Sequence, residues 1–313
     1  MRLARILVLG RVGMDLYADP PGAQIEDADR YVSAIGGSAG NIAAALARQG
    51  IEVGLLSCVS DDAVGRYCRK ELTRYGVDTQ HVRSISGGER TSLAVTETRA
   101  ERCQTVLYRN NAADFALTEA DVLAVDFAPL AALVVTGTAL AAEPSRAASI
   151  LAIKRAKRAG ALVALDIDYR AYSWTSRNEA AEICLMAAHE ADIVIGNDEE
   201  FDLLARGTDG LMLARRIARE TALIAIYKKG AAGSVTLTAG YEFTTGIYPV
   251  TALKPTGAGD GFMGGLLAGL AKGHTLDASV RRGSATAAII VSGIGCAPAS
   301  PDSATLETFM AQH

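Results

Sequence analysis

Short apolar runs alternate with amphipathic helical segments along most of this chain, and this alternation limits the possible folds more than any other feature. Apolar runs that alternate with helical patterns form βαβ units, whose parallel strands are buried on both faces. The chain is therefore predicted to be an α/β protein, with a doubly wound, mostly parallel sheet and helices on both faces. The predicted strands are residues 6–9, 53–58, 132–136, 162–166, 193–195, 223–227 and 234–238. The predicted helices are residues 40–49, 61–75, 145–159, 177–190, 210–220, 261–272, 276–292 and 303–312.

Two stretches, residues 14–34 and 90–110 approximately, interrupt the alternation. The first contains Pro20-Pro21-Gly22 and no helical period, and the second suggests two short strands joined by a charged turn. Polar and apolar residues mix in both, whereas a buried central strand would be continuously apolar. We predict a small β-sheet lid on a single domain that spans residues 1–313. The edges of such a sheet can be protected by a second copy, so a homodimer through the lid is expected.

The composition excludes several classes of function. Lys and Arg number 31 against 35 for Asp and Glu, so no nucleic-acid partner is expected, because such proteins usually carry a basic excess. No apolar run of about eighteen residues predicts a membrane span. Five scattered cysteines without a Cys-x-x-Cys pair argue against a disulfide framework and a zinc site, and for a reducing compartment. Residues 1–10 suggest a first buried strand rather than a signal peptide, and a cytoplasmic location is expected.

The segment 254–270, which begins Lys-Pro-Thr-Gly-Ala-Gly-Asp-Gly, carries the most chemical information. Small residues at 257–259 lead directly into an apolar helix, whose first N–H groups and positive dipole end favour an anion. Asp260 would repel a resting phosphate, but it could take a proton from a hydroxyl that attacks a phosphoryl group in transit. Such a base contributes about 10²–10⁴-fold to a rate. Taken alone, the turn could also be a glycine-rich turn with an acid at a helix start.

A dinucleotide-binding loop is an alternative for the same residues. Residues 259–264 match the Gly-x-Gly-x-x-Gly fingerprint. However, Pro255 interrupts the place where a buried strand should precede the first glycine. Only about fifty residues follow, and they look helical, so the remaining βαβ units cannot be built. This alternative is rejected, and no P-loop motif is present in the sequence.

The turn at 254–270 resembles the C-terminal signature of the ribokinase-like (PfkB-type) carbohydrate kinases, and residues 36–50 resemble their N-terminal signature. The similarity runs from about residue 3 to residue 306. It implies an ATP-dependent sugar kinase with a doubly wound α/β domain and a β-sheet lid. A non-catalytic sugar-binding or regulatory protein on the same fold is the alternative from another class. Retention of Asp260 between two glycines disfavours it, since binding alone needs no base.

The resemblance also implies roles for individual residues. Asp260 matches the catalytic base, and the anion hole corresponds to Gly257, Ala258 and Gly259. The residues that match the sugar-binding positions are Asp15, Gly36, Gly37 and Asn41. The expected ATP-binding residues are Lys228, Gly230, Gly233, Ala287 and Ser292. Asn197 and Glu200 match a motif that organises hydrated Mg²⁺, although their spacing is also that of a helix capping box.

Two arginines indicate the class of the sugar. Arg109 follows a predicted lid strand, and Arg170 lies just beyond the carboxyl end of a strand, where open α/β sheets bind ligands. A guanidinium there could hold a carboxylate bidentately, although ordinary surface ion pairs use the same residues. Residues 108–114, 136–146 and 168–175 resemble sugar-acid kinases of the family. The implied reaction transfers the γ-phosphoryl group of ATP to the 6-hydroxyl of 5-dehydro-2-deoxygluconate, in myo-inositol catabolism.

Two positions qualify this assignment. The nearest alternative substrate is 2-dehydro-3-deoxygluconate, but its kinases usually carry Asn where this sequence has Asp168. Many family members place an acid at position 254 and bind a monovalent cation beneath the anion hole. This chain has Lys254 instead, and we expect its ammonium group to supply that positive charge.

Overall fold

The apolar runs lie side by side in one large sheet of the computed structural model, which describes residues 5–99 and 102–313. Strand bounds in chain order are β1 Ile6–Leu9, β2 Gly13–Asp19, β3 Arg30–Gly36, β4 Val53–Ser60, β5 Val82–Ile85, β6 Ser92–Thr96, β7 Thr105–Tyr108, β8 Ala132–Thr136, β9 Leu162–Asp166, β10 Ile193–Asn197, β11 Ile224–Lys228, β12 Ser234–Leu237 and β13 Glu242–Thr245. Helix bounds are α1 Ser38–Arg48, α2 Ala63–Arg74, α3 Glu119–Leu123, α4 Ser145–Arg158, α5 Arg177–Glu190, α6 Asp198–Leu204, α7 Gly210–Glu220, α8 Ala258–Ala271, α9 Leu276–Val291, α10 Cys296–Ala299 and α11 Ser303–Gln312.

The large sheet has the strand order β13-β12-β11-β10-β9-β8-β1-β4-β5. Its strands from β11 to β5 pair in parallel, whereas β12 and β13 are antiparallel. Because β1 lies between β4 and β8, the order in which the chain adds strands to the sheet changes sides at β1. In open α/β sheets, ligands bind at such a switch point, beyond the carboxyl ends of the strands.

Both faces of the large sheet are buried, as the continuous apolar strands predict. On β8, Leu133 and Val135 pack with residues of α4 to α7, whereas Val134 packs on the opposite face with residues of α1, α8 and α9. The predicted doubly wound α/β class is confirmed. No helix within residues 5–99 and 102–313 is long and apolar enough to cross a membrane.

A second, four-stranded sheet has the order β3-β2-β6-β7. Its strands come from the two stretches that interrupt the α/β alternation, so the predicted small sheet is confirmed. β2 pairs in parallel with β6, and the outer strands β3 and β7 pair antiparallel with their neighbours. Residues 100–101 of the predicted charged turn, and residues 1–4 of the predicted first-strand segment, lie outside the described residues.

Candidate active site

A cleft lies where the small sheet faces the carboxyl end of β1. It is lined by side chains of β2, β6 and β7, by the loops that follow β1, β8 and β9, and by the starts of α1 and α8. The sheet topology therefore places the cleft at the switch point of the large sheet. Its charged lining residues are Arg11, Asp15, Asp168, Arg170 and Asp260.

The glycine-rich turn forms the start of α8. Gly257 has a φ of +85°, which favours glycine, and the first hydrogen bond of the helix runs from the Gly261 N–H to the Gly257 carbonyl at 3.0 Å. The amides of residues 258–260 therefore have no acceptor within the helix. A Cβ atom on Gly259 would lie 3.2 Å from Lys228 Nζ. The unpaired amides, the helix N-terminus and the ammonium group together favour the binding of an anion.

Asp260 lies in the first turn of α8 and lines the cleft. The Asn41 side-chain amide donates a hydrogen bond of 2.7 Å to Asp260 Oδ2. Burial raises the pKa of Asp260 to about 6, and the nearby Asp168 carboxylate adds to this increase. The Asn41 hydrogen bond and the charges of Arg170 and Arg11 oppose the increase. The carboxylate is therefore mainly ionised at pH 7 and can accept a proton.

Asp15 on β2 faces the same cleft. The Tyr17 hydroxyl donates a hydrogen bond of 3.0 Å to Asp15 Oδ2. A Cβ atom on Gly36 would overlap the Asp15 carboxylate, which explains glycine at that position. Burial raises the pKa of Asp15, and Arg11 is the charge that opposes this most strongly. The predicted Asp15 and Gly36 thus form one unit of the site.

The N-terminus of α1 brings Asn41 to Asp260. Gly37 precedes the helix with a φ of +84°, and a Cβ atom there would lie 2.5 Å from the Arg11 carbonyl oxygen. Only glycine allows this close approach of the two backbones. Asn41 lies one turn into α1, so its side chain reaches Asp260.

Asp168 is nearly fully buried and has a φ of +38°. Its Oδ2 accepts hydrogen bonds from the hydroxyls of Ser38 at 2.6 Å and Thr138 at 3.0 Å. Its Oδ1 lies 2.9 Å from Arg170 Nη2. Arg170 is therefore already paired, and its pKa is raised, mainly by Asp168. Ser38 and Thr138 have no local sequence signal, because they meet Asp168 only in the fold.

Arg109 directly follows β7, an outer strand of the small sheet, as predicted, and its side chain is buried. Its side chain is 4% exposed, its Nη2 lies 2.5 Å from Asp114 Oδ2, and it also donates to Ser173 Oγ and the Thr138 carbonyl. It does not line the cleft in this structure. Arg109 forms a buried ion pair with Asp114, which lies only five residues along the chain, and its contact with the sugar stays a prediction.

Arg11 is the cleft cation that sequence reasoning missed. It follows Gly10 directly after β1, and its Nη1 donates a hydrogen bond of 2.9 Å to Ser92 Oγ. The signal that could have found it is its position, since β1 was a predicted strand and its carboxyl end is where ligands bind.

Asn197 and Glu200 form a capping box at the start of α6, as their spacing allows. The Glu200 N–H donates to Asn197 Oδ1 at 2.8 Å, and the Asn197 N–H donates to Glu200 Oε2 at 2.7 Å. Glu200 Oε1 accepts from the Tyr169 N–H at 3.1 Å and lies 3.9 Å from Arg170 Nη1. No group of three or more His, Cys, Asp or Glu residues in the described part of the chain is arranged to hold a metal ion. The metal role of this pair stays a prediction.

The residues predicted to bind the nucleotide lie on β11, in the turn between β11 and β12, and at the end of α9. Gly230 and Gly233 form a turn between β11 and β12 with φ angles of +55° and +80°. Ala287 and Ser292 lie at the C-terminal end of α9 and do not line the cleft. Lys228 lies next to Gly259 of the glycine-rich turn. The ATP contacts of these residues stay predictions.

The Lys254 side chain is fully buried beneath the glycine-rich turn. Its ammonium donates to the Thr256 carbonyl at 2.6 Å and to the Ile290 carbonyl, near the end of α9, at 3.5 Å. Burial lowers the pKa of Lys254, and the nearby carboxyls of Asp260 and Asp15 oppose this. A cation at a helix C-terminus is favoured by the helix dipole.

The fold defines the class of the protein, which is that of the ribokinase-fold kinases. A double mutant of the fructokinase of Vibrio cholerae O395, solved with fructose, ADP and a potassium ion, matches with a TM-score of 0.87. It is 26% identical in sequence, and the match covers 98% of each chain. This chain belongs to the pfkB family of carbohydrate kinases, whose sequence model matches residues 3–303.

Relatives cover nearly the whole chain. The 5-dehydro-2-deoxygluconokinase of Photobacterium profundum is 42% identical over 310 residues, which is 97% of this chain and 94% of the relative. The 5-dehydro-2-deoxygluconokinase of Geobacillus kaustophilus is 36% identical over 313 residues, which is 98% of this chain and 93% of the relative. The protein is an ATP-dependent sugar kinase with a small-molecule substrate, as the signature motifs implied.

Proposed function

We propose that this kinase transfers the γ-phosphoryl group of ATP to the 6-hydroxyl of 5-dehydro-2-deoxygluconate. One observation carries the proposal: Asp260 lies in a cleft beside open helix-start amides, in a chain up to 42% identical to enzymes named for this substrate. In the proposed step, the hydroxyl oxygen bonds to the γ-phosphorus and gives its proton to Asp260. The bond from that phosphorus to the bridging oxygen breaks, and ADP leaves.

The amides of Gly257, Ala258 and Gly259 would stabilise the phosphoryl group during transfer. The positive end of α8 favours the charge spread over its three oxygens. Lys228 Nζ lies beside Gly259, where it would neutralise the same charge. The Thr256 hydroxyl is buried at the cleft and has no hydrogen-bond partner within the described residues. It would be satisfied by a phosphate oxygen, since buried polar groups are normally paired.

The sugar would lie between β2 and the start of α1. Asp15 would accept hydrogen bonds from its hydroxyls, with Gly36 and Gly37 keeping the backbone close. Asn41 donates to Asp260, while Asn41 Oδ1 is buried and lacks a partner among residues 5–99 and 102–313. That oxygen would accept from a sugar hydroxyl, so that one side chain would orient both base and substrate.

We further propose that Mg²⁺ accompanies the nucleotide, as the resemblance implies. Asn197 and Glu200 already bond backbone amides, so they fit contacts to the water shell of the ion better than direct coordination. Bound there, Mg²⁺ would neutralise phosphate charge. The adenosine side of ATP would contact Gly230, Gly233, Ala287 and Ser292.

We also propose that the small sheet acts as a lid within one domain of residues 1–313, and that it joins a homodimer. Its outer strands β3 and β7 carry exposed apolar side chains, namely Tyr31, Val32, Val106 and Tyr108. Exposed apolar side chains on outer strands favour a partner that covers them. A cytoplasmic location is part of the same proposal.

A coupled assay of ADP release tests the substrate. It compares 5-dehydro-2-deoxygluconate, 2-dehydro-3-deoxygluconate, fructose and ribose at equal enzyme concentration. We expect the highest kcat/KM on 5-dehydro-2-deoxygluconate. Fastest turnover of 2-dehydro-3-deoxygluconate would replace the named substrate, and fastest turnover of a neutral sugar would overturn the sugar-acid assignment.

A further inference from the structure

Arg11 occupies the position in the fold where a ligand is most expected. It follows β1, the strand at which the strand order of the large sheet changes sides, and its side chain lines the cleft. The side chain is positioned by the small sheet, because Nη1 donates to Ser92 Oγ at 2.9 Å. A Cβ atom on Gly13 would lie 2.6 Å from that hydroxyl and 3.2 Å from Nη1. Glycine at this position therefore leaves room for the contact.

Among the residues that the structure describes, Arg11 and Arg170 are the arginines that line the cleft, and they differ in their partners. Arg170 is paired with Asp168 at 2.9 Å and lies 3.9 Å from Glu200. Arg11 has no carboxylate oxygen within 4.0 Å in the described part of the chain, and Ser92 is the single acceptor of its side chain there. A guanidinium has five N–H donors, so most of those of Arg11 are available to a ligand.

We infer that Arg11 binds the carboxylate of the sugar acid and sets the preference of the enzyme for an acidic over a neutral sugar. This inference rests on the proposed function. A carboxylate would pair with Arg11 without breaking an existing ion pair, whereas pairing with Arg170 would compete with Asp168. The planar guanidinium can bind both carboxylate oxygens at once.

The arrangement of charges separates a sugar end from a phosphate end of the cleft. Arg11 is the charge with the largest effect on the sugar-binding Asp15, whereas Arg170 affects the base Asp260 more than Arg11 does. The acceptor hydroxyl at carbon 6 must approach Asp260, and the carboxylate is at the opposite end of the six-carbon chain. The substrate would thus extend from Asp260 towards Arg11.

The test measures kcat and KM of wild type, Arg11→Met and Arg11→Lys with 5-dehydro-2-deoxygluconate and with its neutral carboxamide analogue. Charge-assisted hydrogen bonds predict that Arg11→Met raises KM for the acid roughly 10- to 100-fold. We expect kcat and the KM for ATP to change less than threefold, and the preference for acid over carboxamide to disappear. Arg11→Lys should restore part of that preference. Arg30→Met is the control, because Arg30 lies on the same small sheet with its side chain 75% exposed.

The outcomes separate this inference from the proposed function. If wild type prefers the acid and Arg11→Met keeps that preference, Arg11 is not the carboxylate ligand and the proposed function stands. If wild type itself prefers a neutral sugar, the proposed function and the inference both fail. A rise in the KM for ATP alone would assign Arg11 to the phosphates and overturn the inference. If Arg11→Met melts well below wild type, the ratio of kcat/KM for the acid to kcat/KM for the carboxamide in Arg11→Gln decides, and a ratio equal to that of wild type overturns the inference.

Discussion

Replacing Asp260 by asparagine should separate catalysis from stability. The substitution removes the proposed proton acceptor but keeps a side-chain oxygen that can accept from Asn41, which now donates to Asp260 at 2.7 Å. A positioned base contributes about 10²–10⁴-fold, so we expect kcat of Asp260→Asn to fall at least about 100-fold. The KM for the sugar should change little, because the hydrogen bond that orients the site can be kept.

The direction of the stability change follows from the pKa of Asp260. Burial raises that pKa from 3.8 to about 6, so the folded state binds the proton more tightly than the unfolded state. The folded protein therefore loses stability as the pH rises from about 4 to about 6. The difference between the two pKa values corresponds to a loss of up to about 3 kcal/mol in the free energy of unfolding. Asparagine cannot ionise, so the melting temperature of Asp260→Asn at pH 7 should exceed that of wild type.

Steady-state kinetics and thermal melting test both effects on the same preparations. Asp277→Asn is the matched control, because Asp277 lies in the first turn of the neighbouring helix α9, away from the cleft. For wild type, kcat/KM should rise with pH through about 6 and be roughly tenfold lower at pH 5 than at pH 7. Retained activity in Asp260→Asn, or a wild-type profile flat between pH 5 and 7, would refute the role of this carboxylate as the base.

Three further predictions concern other parts of the site. In Gly36→Ala the new Cβ overlaps the Asp15 carboxylate, so kcat/KM should fall roughly 100-fold. The control Gly240→Ala has open space around it and should match wild type. Wild-type kinetics in Gly36→Ala would contradict the close contact. Because the Lys254 ammonium is buried beneath the glycine-rich turn, turnover should persist when K⁺ is replaced by tetramethylammonium. A large loss of turnover would refute the proposal that Lys254 replaces a monovalent cation. Asp114→Ala leaves Arg109 buried without its carboxylate, so urea denaturation should show that the free energy of unfolding falls by about 3–5 kcal/mol. An unchanged denaturation midpoint would contradict a stabilising ion pair between Arg109 and Asp114.

The central strands could be predicted from the sequence because burial on both faces makes them continuously apolar. The bounds of β1, β8 and β9 were predicted to the residue. The edge strands β5 and β13 were not predicted, because exposed positions such as Arg83 and Glu242 break the apolar pattern. The short helix α6 was missed as well, since its capping box was the main local signal.

The candidate site could be predicted where it is local in sequence. The glycine-rich turn, Asp260 and the start of α1 are contiguous motifs, and the structure brings them together through Asn41. Contacts between distant segments could not be predicted, such as Ser38 with Asp168 across 130 positions. The partners of the arginines could not be predicted either, because they depend on the fold. Asp114 pairs with Arg109, whereas Arg11 lines the cleft.

A crystal structure with a non-hydrolysable ATP analogue and the sugar acid tests the central claim most directly. The account predicts that the acceptor hydroxyl lies within hydrogen-bond distance of the Asp260 carboxylate, about 2.6–3.2 Å. The terminal phosphorus should lie next to the amides of residues 257–259. A complex that places either the hydroxyl or the terminal phosphorus away from the start of α8 would contradict the proposed phosphoryl transfer.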